Sequence, residues 1–272
     1  MTLDIELTAD CKRCIGLCCV VLGFSASADF AIDKAAGEAC PHLQTDFRCA
    51  IHTELRGRGF AGCSVYDCLG AGQQVTQVIF AGRDWRCDSA IAKQMFEVFP
   101  KVQQLHEMLW YLREALHLQA ARPLHAEMRV ALAEIVKLSS GTPQALLALD
   151  LADTRRGLTG LLRSASELAR RDAPGPHADY ANADLIGAHL AGADLRAASL
   201  RGAQLIAADL RGADLRSADL TAADVRNADL SGADLSTALF VRQSQLDAAR
   251  GDARTRIPGG RRRPVPWLSS SV

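Results

Sequence analysis

Aromatic residues are scarce in this sequence: Phe, Trp and Tyr together account for 14 of 272 residues, whereas 46 are Ala. Small and aliphatic side chains must therefore build the core. Net charge is also absent, with 31 Lys plus Arg and 31 Asp plus Glu, which disfavours a generally basic nucleic-acid binder and a polyacidic tail. No window approaches the roughly 20 apolar residues of a membrane span, and residues 1–10 lack the apolar core of a secretory signal. We therefore expect a cytoplasmic protein with no membrane partner.

Cysteine is absent after residue 87, and all nine cysteines lie in the first third of the chain. An odd number in a cytoplasmic protein is explained better by metal coordination than by disulfides. The spacing is Cys-x2-Cys-x3-Cys-Cys, followed by Cys-Pro-His-Leu, Cys-Ala-Ile-His and Cys-x4-Cys. Thiolates are soft ligands for zinc or iron–sulfur clusters. The predicted metal ligands are Cys11, Cys14, Cys18, Cys19, Cys40, Cys49, Cys63 and Cys68, whereas Cys87 stands alone and is expected to be structural.

Residues 11–68 resemble the YkgJ-like family of zinc- or iron-chelating cysteine-cluster proteins, and the resemblance implies metal chelation. One departure is the Gly-Arg-Gly-Phe stretch at 57–60, where an Arg-Pro dipeptide is expected. Zinc is the favoured ion. An iron–sulfur cluster is the alternative, since cysteine spacing alone separates a zinc site from a cluster poorly. Eight thiols could also hold two ions, and His42 and His52 are expected beside the metal rather than bound to it. The positions that match the family's cysteines are Cys11, Cys14, Cys18 or Cys19, Cys40, Cys49, Cys63 and Cys68.

From residue 88 onward the apolar residues follow a helical period. The pattern predicts helices over 90–99, 102–118 and 124–138, with prolines separating them. A fourth helix is expected to start at Thr142-Pro143, with a capping hydroxyl before a first-turn proline, and to continue toward Ala169. A Pro-Gly-Pro sequence then ends the helical segment. Three histidines on these helices have no cysteine neighbour and are expected to be core or surface residues: His106, His117 and His125.

A five-residue repeat begins at Ala178 and places Ala at thirteen successive positions up to Ala238, with a larger apolar residue two positions after each. A period of five fits neither a helix nor a strand, so the chain must turn in every repeat. This segment resembles the pentapeptide-repeat family, whose units wind four to a turn into a right-handed, four-sided β-helix. The resemblance implies columns of inward residues spaced twenty apart, such as Leu195, Leu215 and Leu235.

The expected fold class is therefore α+β and multidomain. It comprises a Cys-rich metal module (residues 1–88), an α-helical adaptor (89–173), a right-handed quadrilateral β-helix of pentapeptide repeats (174–242), and a C-terminal cap with a basic tail (243–272). A stack of coils has two open edges that invite aggregation. The helix that precedes the repeats and the C-terminal cap are expected to cover them.

The sequence contains no Gly-x-Ser-x-Gly or His-Glu-x-x-His motif and no catalytic residue is assigned. This favours a metal-binding scaffold or adaptor for an unidentified protein partner, and the end of the β-helix could also join two copies of the chain. An iron–sulfur enzyme or redox sensor that uses the same cysteines is the alternative. A gyrase-binding DNA mimic, as some pentapeptide-repeat proteins are, is disfavoured because Arg196 and Arg216 should stack beside a column of Asp residues. Nucleic acid is not the expected partner.

Overall fold

The computed structural model describes residues 5–268 of the chain, and helices provide most of its regular structure. The α-helices are α1 (Leu17–Val21), α2 (Ala61–Val65), α3 (Ala71–Gln73), α4 (Ser89–His117), α5 (His125–Ser139), α6 (Pro143–Ala148), α7 (Ala152–Arg171) and α8 (Gln243–Ala248). The 3-10 helices are Cys11–Arg13, Gln119–Leu124 and Val265–Leu268, and a π-helical turn covers Gln74–Ile79. Among residues 5–268 no helix combines the length and hydrophobicity that crossing a bilayer requires.

The chain divides into two compact units. Unit 1 contains the residues up to Arg113 together with His125–Leu161. Unit 2 contains Glu114–Leu124 and the residues from Leu162 onward. All nine cysteines therefore belong to unit 1, and the whole repeat segment belongs to unit 2.

Helix α4 supplies much of the core of unit 1, where Met95, Phe99, Val102 and Leu105 are fully buried. The predicted break at Pro100 is wrong, because α4 continues through this residue. A proline inside a helix costs about 3 kcal/mol or more. Burial of the neighbouring Phe99 and Val102 contributes roughly 2 kcal/mol each, so packing of this helical face offsets the lost hydrogen bond.

Helices α5 and α6 begin where the sequence predicts. The side chain of Thr142 accepts a hydrogen bond from the Ala145 backbone N–H at 3.2 Å, with Pro143 at the first helical position. The predicted continuation toward residue 169 is wrong, since α6 ends at Ala148 and a new helix, α7, follows. The Lys101 ammonium donates to the carbonyl oxygens of Leu147 and Leu149 at 2.6 and 2.9 Å. These bonds satisfy carbonyl groups at the end of α6 and so stabilise the interruption.

Residues 178–240 form a series of stacked turns, here called the coil stack. Single parallel bridges join residues twenty positions apart, from Asp179 with Ser199 to Asp219 with Leu239. The predicted twenty-residue register is therefore confirmed. The predicted α+β fold class with a right-handed quadrilateral β-helix is wrong, because the described part of the chain has no β-strand, sheet or barrel and is mostly helical. Each five-residue unit spends two residues on a turn, which leaves one bridging residue and too little extended backbone for a strand.

The interior of the coil stack consists of Ala and Leu side chains, and Ala213, Leu205 and Leu210 are fully buried. The fifth residue of each unit from Asn182 to Gly232 turns the chain with a positive φ, as at Gly202 (64°) and Ala207 (55°). A left-handed conformation costs a non-glycine residue roughly 1 to 2 kcal/mol. This cost explains why glycine recurs at the fifth position of the repeat.

The C-terminal segment covers one end of the coil stack, as predicted. Leu246, Ala249 and Trp267 join its buried core, and the Trp267 indole N–H donates to the Ala249 carbonyl at 3.2 Å. The bridging pattern also continues into this segment, where Asp229 pairs with Arg250. The cap therefore extends the stack as well as closing it.

The opposite end of the coil stack is covered only in part, because Leu195 and Ala197 in the first coil are buried whereas other apolar residues of the same coil are not. Leu185 and Leu190 in the first coil are only partly buried, and Ile186 is 56% exposed. Arg170 near the end of α7 donates to the Ala197 carbonyl at 2.9 Å. This bond holds the helix terminus at one corner of the first coil, which leaves the apolar residues beyond it in contact with solvent.

Candidate metal centre

Short elements and loops carry the eight predicted ligands in unit 1. Cys11 opens the first 3-10 helix, Cys18 and Cys19 lie on α1, and Cys63 lies on α2. Gly16, in the left-handed conformation with a φ of 69°, precedes α1. Its positive φ turns the chain sharply between the first two cysteines and the Cys18–Cys19 pair.

Four cysteines line one small cavity of about 20 Å³, and we call them the first thiol group. A cavity of this size holds about one water-sized occupant. Gly72 also lines it, and a Cβ atom at this position would lie only 2.6 Å from the Cys14 sulfur. Glycine is therefore needed here so that the backbone can approach the sulfur. The first thiol group consists of Cys11, Cys14, Cys18 and Cys68.

The remaining four cysteines form a second thiol group on neighbouring loops. The Cys40 N–H donates to the Cys19 carbonyl at 2.9 Å. Leu43 joins the same loop, since its N–H donates to the Cys40 carbonyl at 2.9 Å and it forms a bridge with Cys49. Burial, followed by the charges of the other members, raises the pKa of the Cys63 thiol to about 11. The second thiol group consists of Cys19, Cys40, Cys49 and Cys63.

The two groups meet at consecutive residues, where the sulfur atoms of Cys18 and Cys19 lie 3.9 Å apart. Their shared hydrogen bond raises the pKa of Cys18, which is also buried, and lowers the pKa of Cys19. Both groups influence Cys11, whose residue surface is largely exposed. Partial burial of its thiol, followed by Cys68, raises its pKa, and Cys19 and Cys49 contribute more weakly.

Burial is the main cause that holds most of these thiols in the protonated form. It raises the pKa of Cys14 to about 11, and it raises the pKa of Cys40, Cys49 and Cys68 in the same direction. A bound cation would reverse this preference, because it stabilises the thiolate. Metal binding at these cysteines must therefore release protons.

Two further polar groups face the thiols. The Tyr66 hydroxyl is buried without a hydrogen-bond partner among residues 5–268; burial, then Cys68 and Cys18, raises its pKa. Lys34 is buried, and its ammonium donates to three backbone carbonyls at 2.8 to 3.2 Å. Burial lowers the pKa of Lys34, while Cys40 and Cys19 oppose that shift. The sequence does not predict a role for either residue, since its only relevant signal is that Lys34 is a basic residue among the cysteines.

The donor set fits a thiophilic cation, because four sulfur atoms surround a cavity with room for one small occupant. Across residues 5–268, however, no three Cys, His, Asp or Glu side chains lie close enough together to form a ready-made metal site. The thiols would have to draw together on binding. Such coupling of local folding to metal binding is common where a small segment has a limited core.

The histidines lie outside the thiol groups or beside them. The His42 ring packs edge-on against Phe60, with centroids 5.1 Å apart, and His52 is exposed. His106 is fully buried, as expected for a core residue, and its Nδ1 lies 2.6 Å from the Leu69 carbonyl oxygen. Burial lowers the pKa of His106 to about 4. Cys87 is exposed rather than buried.

Comparison with known proteins supplies the class of the repeat segment. Residues 178–216 and 198–236 match the pentapeptide repeats family, in eight copies. Residues 178–236 therefore consist of pentapeptide repeats, as the sequence predicts. The chain is also 54% identical to the uncharacterized protein YybG of Bacillus subtilis (strain 168). The alignment spans 265 residues and covers 96% of this chain and 95% of YybG. The chain belongs to the same family as YybG.

Proposed function

We propose that this pentapeptide-repeat protein binds zinc through the cysteines of residues 11–68 and acts as a scaffold for protein association through its coil stack. The observation that carries the metal-binding part is the cavity lined by four thiols and large enough for one small occupant. A zinc ion there would cross-link short helices and loops that share little core. The role proposed for this ion is structural, that of a cross-link between loops.

Elemental analysis of protein purified without chelators tests the proposal. We expect stoichiometric zinc, a colourless protein, and a lower zinc content when Cys14 and Cys68 of the first group are both changed to serine (Cys14→Ser with Cys68→Ser). Cys87→Ser is the matched control, since this cysteine is exposed and lies in neither thiol group. A wild-type protein that contains no metal and does not take up added zinc would refute the metal-binding role.

An iron–sulfur redox site is the second candidate, favoured by the all-sulfur character of the two groups. With His42 packed on an aromatic ring and His52 exposed, the proposed ligands are cysteines alone, and four thiolates are the usual ligand set of such clusters. Anaerobic purification separates the candidates. Broad absorbance at about 400 nm, together with iron and acid-labile sulfide, would show that the cysteines hold an iron–sulfur cluster and not zinc.

We propose that the exposed part of the first coil, residues 178–193, is the association surface and that its partner is a second copy of this chain. Within the described residues, the N–H groups of Asp184 and His189 have no backbone acceptor, whereas one coil later Gln204 and Asp209 donate to backbone carbonyls at 2.9 Å. An open coil edge is complementary to another edge of the same geometry. The exposed Ile186 adds apolar area to this surface.

Sedimentation velocity tests this association. We expect a dimer for the wild type and a shift to monomer for Ile186→Glu, because a charge would be buried in the contact. Val130→Glu is the control, since Val130 is 70% exposed and lies on α5 in unit 1. A wild type that is monomeric at all concentrations would refute the proposal.

The charges of the coil stack do not favour a DNA mimic. Arg196 contacts Asp194 at 2.7 Å and Asp214 at 3.8 Å, and Arg216 continues the same ladder. The predicted column of paired charges is therefore confirmed, and it neutralises the carboxylates that would imitate phosphates. We also propose a cytoplasmic location, because all nine cysteines are free of disulfides and a reducing compartment maintains thiols.

A further inference from the structure

We infer that the eight cysteines form two separate four-sulfur metal sites, one from each thiol group, and that the adjacent Cys18 and Cys19 belong to different sites. This inference rests on the proposed metal binding and adds the number of ions and the ligands of each. It differs from a single site that uses only some of the cysteines.

The first site is defined by a shared cavity. Cys11, Cys14, Cys18 and Cys68 line it together, whereas no cysteine of the second group does. Its volume of about 20 Å³ admits one small occupant, so a second ion cannot share it. The buried Tyr66 hydroxyl, which has no acceptor among the described residues, is a hydrogen-bond donor available to a thiolate of this site.

The second site is defined by loops that hold one another in place. Backbone hydrogen bonds join Cys19 to Cys40, and the bridge at Leu43 brings Cys49 beside them. The ring of Phe60, three residues before Cys63, packs against His42 at 5.1 Å between ring centroids. Four cysteines that are distant in sequence therefore lie on one set of connected loops.

The buried Lys34 supplies a positive charge between α1 and the loop that leads to Cys40, close to the second group. Its ammonium donates to the carbonyls of Val20, Ala35 and Glu38, so the position of the charge is fixed. Four thiolates and one divalent cation carry a net charge of about −2, and a nearby fixed cation reduces the cost of burying it. No such cation lines the cavity of the first group.

The neighbours of Cys18 and Cys19, and not the 3.9 Å between their sulfur atoms, separate the two sites at the junction. The two residues are consecutive on α1, but Cys18 lines the cavity and Cys19 does not, and the Cys19 carbonyl accepts from the Cys40 N–H. Successive residues of a helix point in directions about 100° apart. One of the two side chains therefore faces the cavity, while the other faces the loops of Cys40 and Cys49.

The number of ions tests the inference on the full-length protein. Reduced protein is loaded with zinc alone, freed of excess metal, and analysed for zinc per chain. Two zinc ions per chain support the inference, and one overturns it while leaving the proposed zinc binding intact. No zinc refutes the proposed function itself, so the two failures are distinguishable.

Paired variants assign the ligands. Cys14→Ser with Cys68→Ser, and separately Cys40→Ser with Cys49→Ser, should each reduce zinc from about two ions to about one, whereas Cys87→Ser should retain both. Loss of both ions in either variant, with circular dichroism that matches the wild type, would overturn the inference because it shows a shared site.

Cadmium-113 NMR of the wild type provides a readout that needs no variant and so is independent of folding defects. Two separate sites predict two resonances, both in the region of all-thiolate coordination. A single resonance, or a resonance that indicates nitrogen or oxygen ligands, would overturn the assignment of four sulfur atoms to each ion.

Discussion

The ion pair between Arg201 and Asp219 should be the most sensitive electrostatic contact in the coil stack. Asp219 is completely buried, and its carboxylate accepts from Arg201 at 3.1 Å and from the Thr221 hydroxyl at 2.6 Å. Removing one partner of a buried pair leaves an uncompensated charge and costs about 3 to 5 kcal/mol. Because the Arg201 side chain is 15% exposed, we expect Arg201→Met to lower the free energy of unfolding by about 3 kcal/mol.

Arg211 provides the matched control in the same repeat position two units later. Its bond to Asp209 is shorter, at 2.7 Å, but its side chain is 60% exposed, so Arg211→Met should cost less than about 1 kcal/mol. Urea unfolding followed by the fluorescence of the buried Trp267, with Trp85 and Trp110 changed to Phe, reports on unit 2. Equal destabilisation by the two substitutions would refute the argument that burial, and not distance, decides the strength of these pairs.

Three other perturbations follow from the packing. Metal-free protein should lose roughly 3 kcal/mol of stability as the pH falls from 6.5 to 4. The reason is that the pKa of His106 is about 4 in the folded protein and about 6.5 in the unfolded chain. Urea unfolding in the presence of a chelator measures this loss, and His106→Gln should not show it. Gly72→Ala should weaken zinc binding in chelator competition, since its methyl group meets a cysteine sulfur at 2.6 Å, whereas Gly157→Ala, in open space on α7, should not. Leu210→Ala should destabilise unit 2 by about 3 kcal/mol, and Leu190→Ala, in the same column but partly exposed, by clearly less in urea unfolding.

The sequence predicts the register of the coil stack correctly because the signal is repeated thirteen times. It does not predict the conformation within each unit, since a period of five requires a turn but does not show how much extended backbone is left. The helical errors have a similar cause. Proline at position 100 is a strong local signal for a break, and only the burial of Phe99 and Val102 shows why the helix continues.

The cysteine spacing predicts candidate ligands but not their grouping. Cys18 and Cys19 are equivalent in the sequence, and their separation depends on the turn at Gly16 and on loops contributed by residues 40–68. The sequence also does not predict the roles proposed for Tyr66 and Lys34. These roles depend on a buried hydroxyl without an acceptor among the described residues and on an ammonium held by backbone carbonyls. Such signals exist only after the chain has folded.

The character of residues 5–88 favours the proposal that metal bound by the cysteines helps to hold this segment in one conformation. Its α-helices, α1 to α3, are three to five residues long, whereas helices shorter than about 12 residues are marginal without tertiary support. Its buried apolar side chains, such as Leu17 and Val20, are few. The coil stack has a repeating core and a covered end, so it can fold without a ligand. The cysteine segment has neither, so the proposed metal cross-links between its loops would add to the hydrogen bonds that join it to α4.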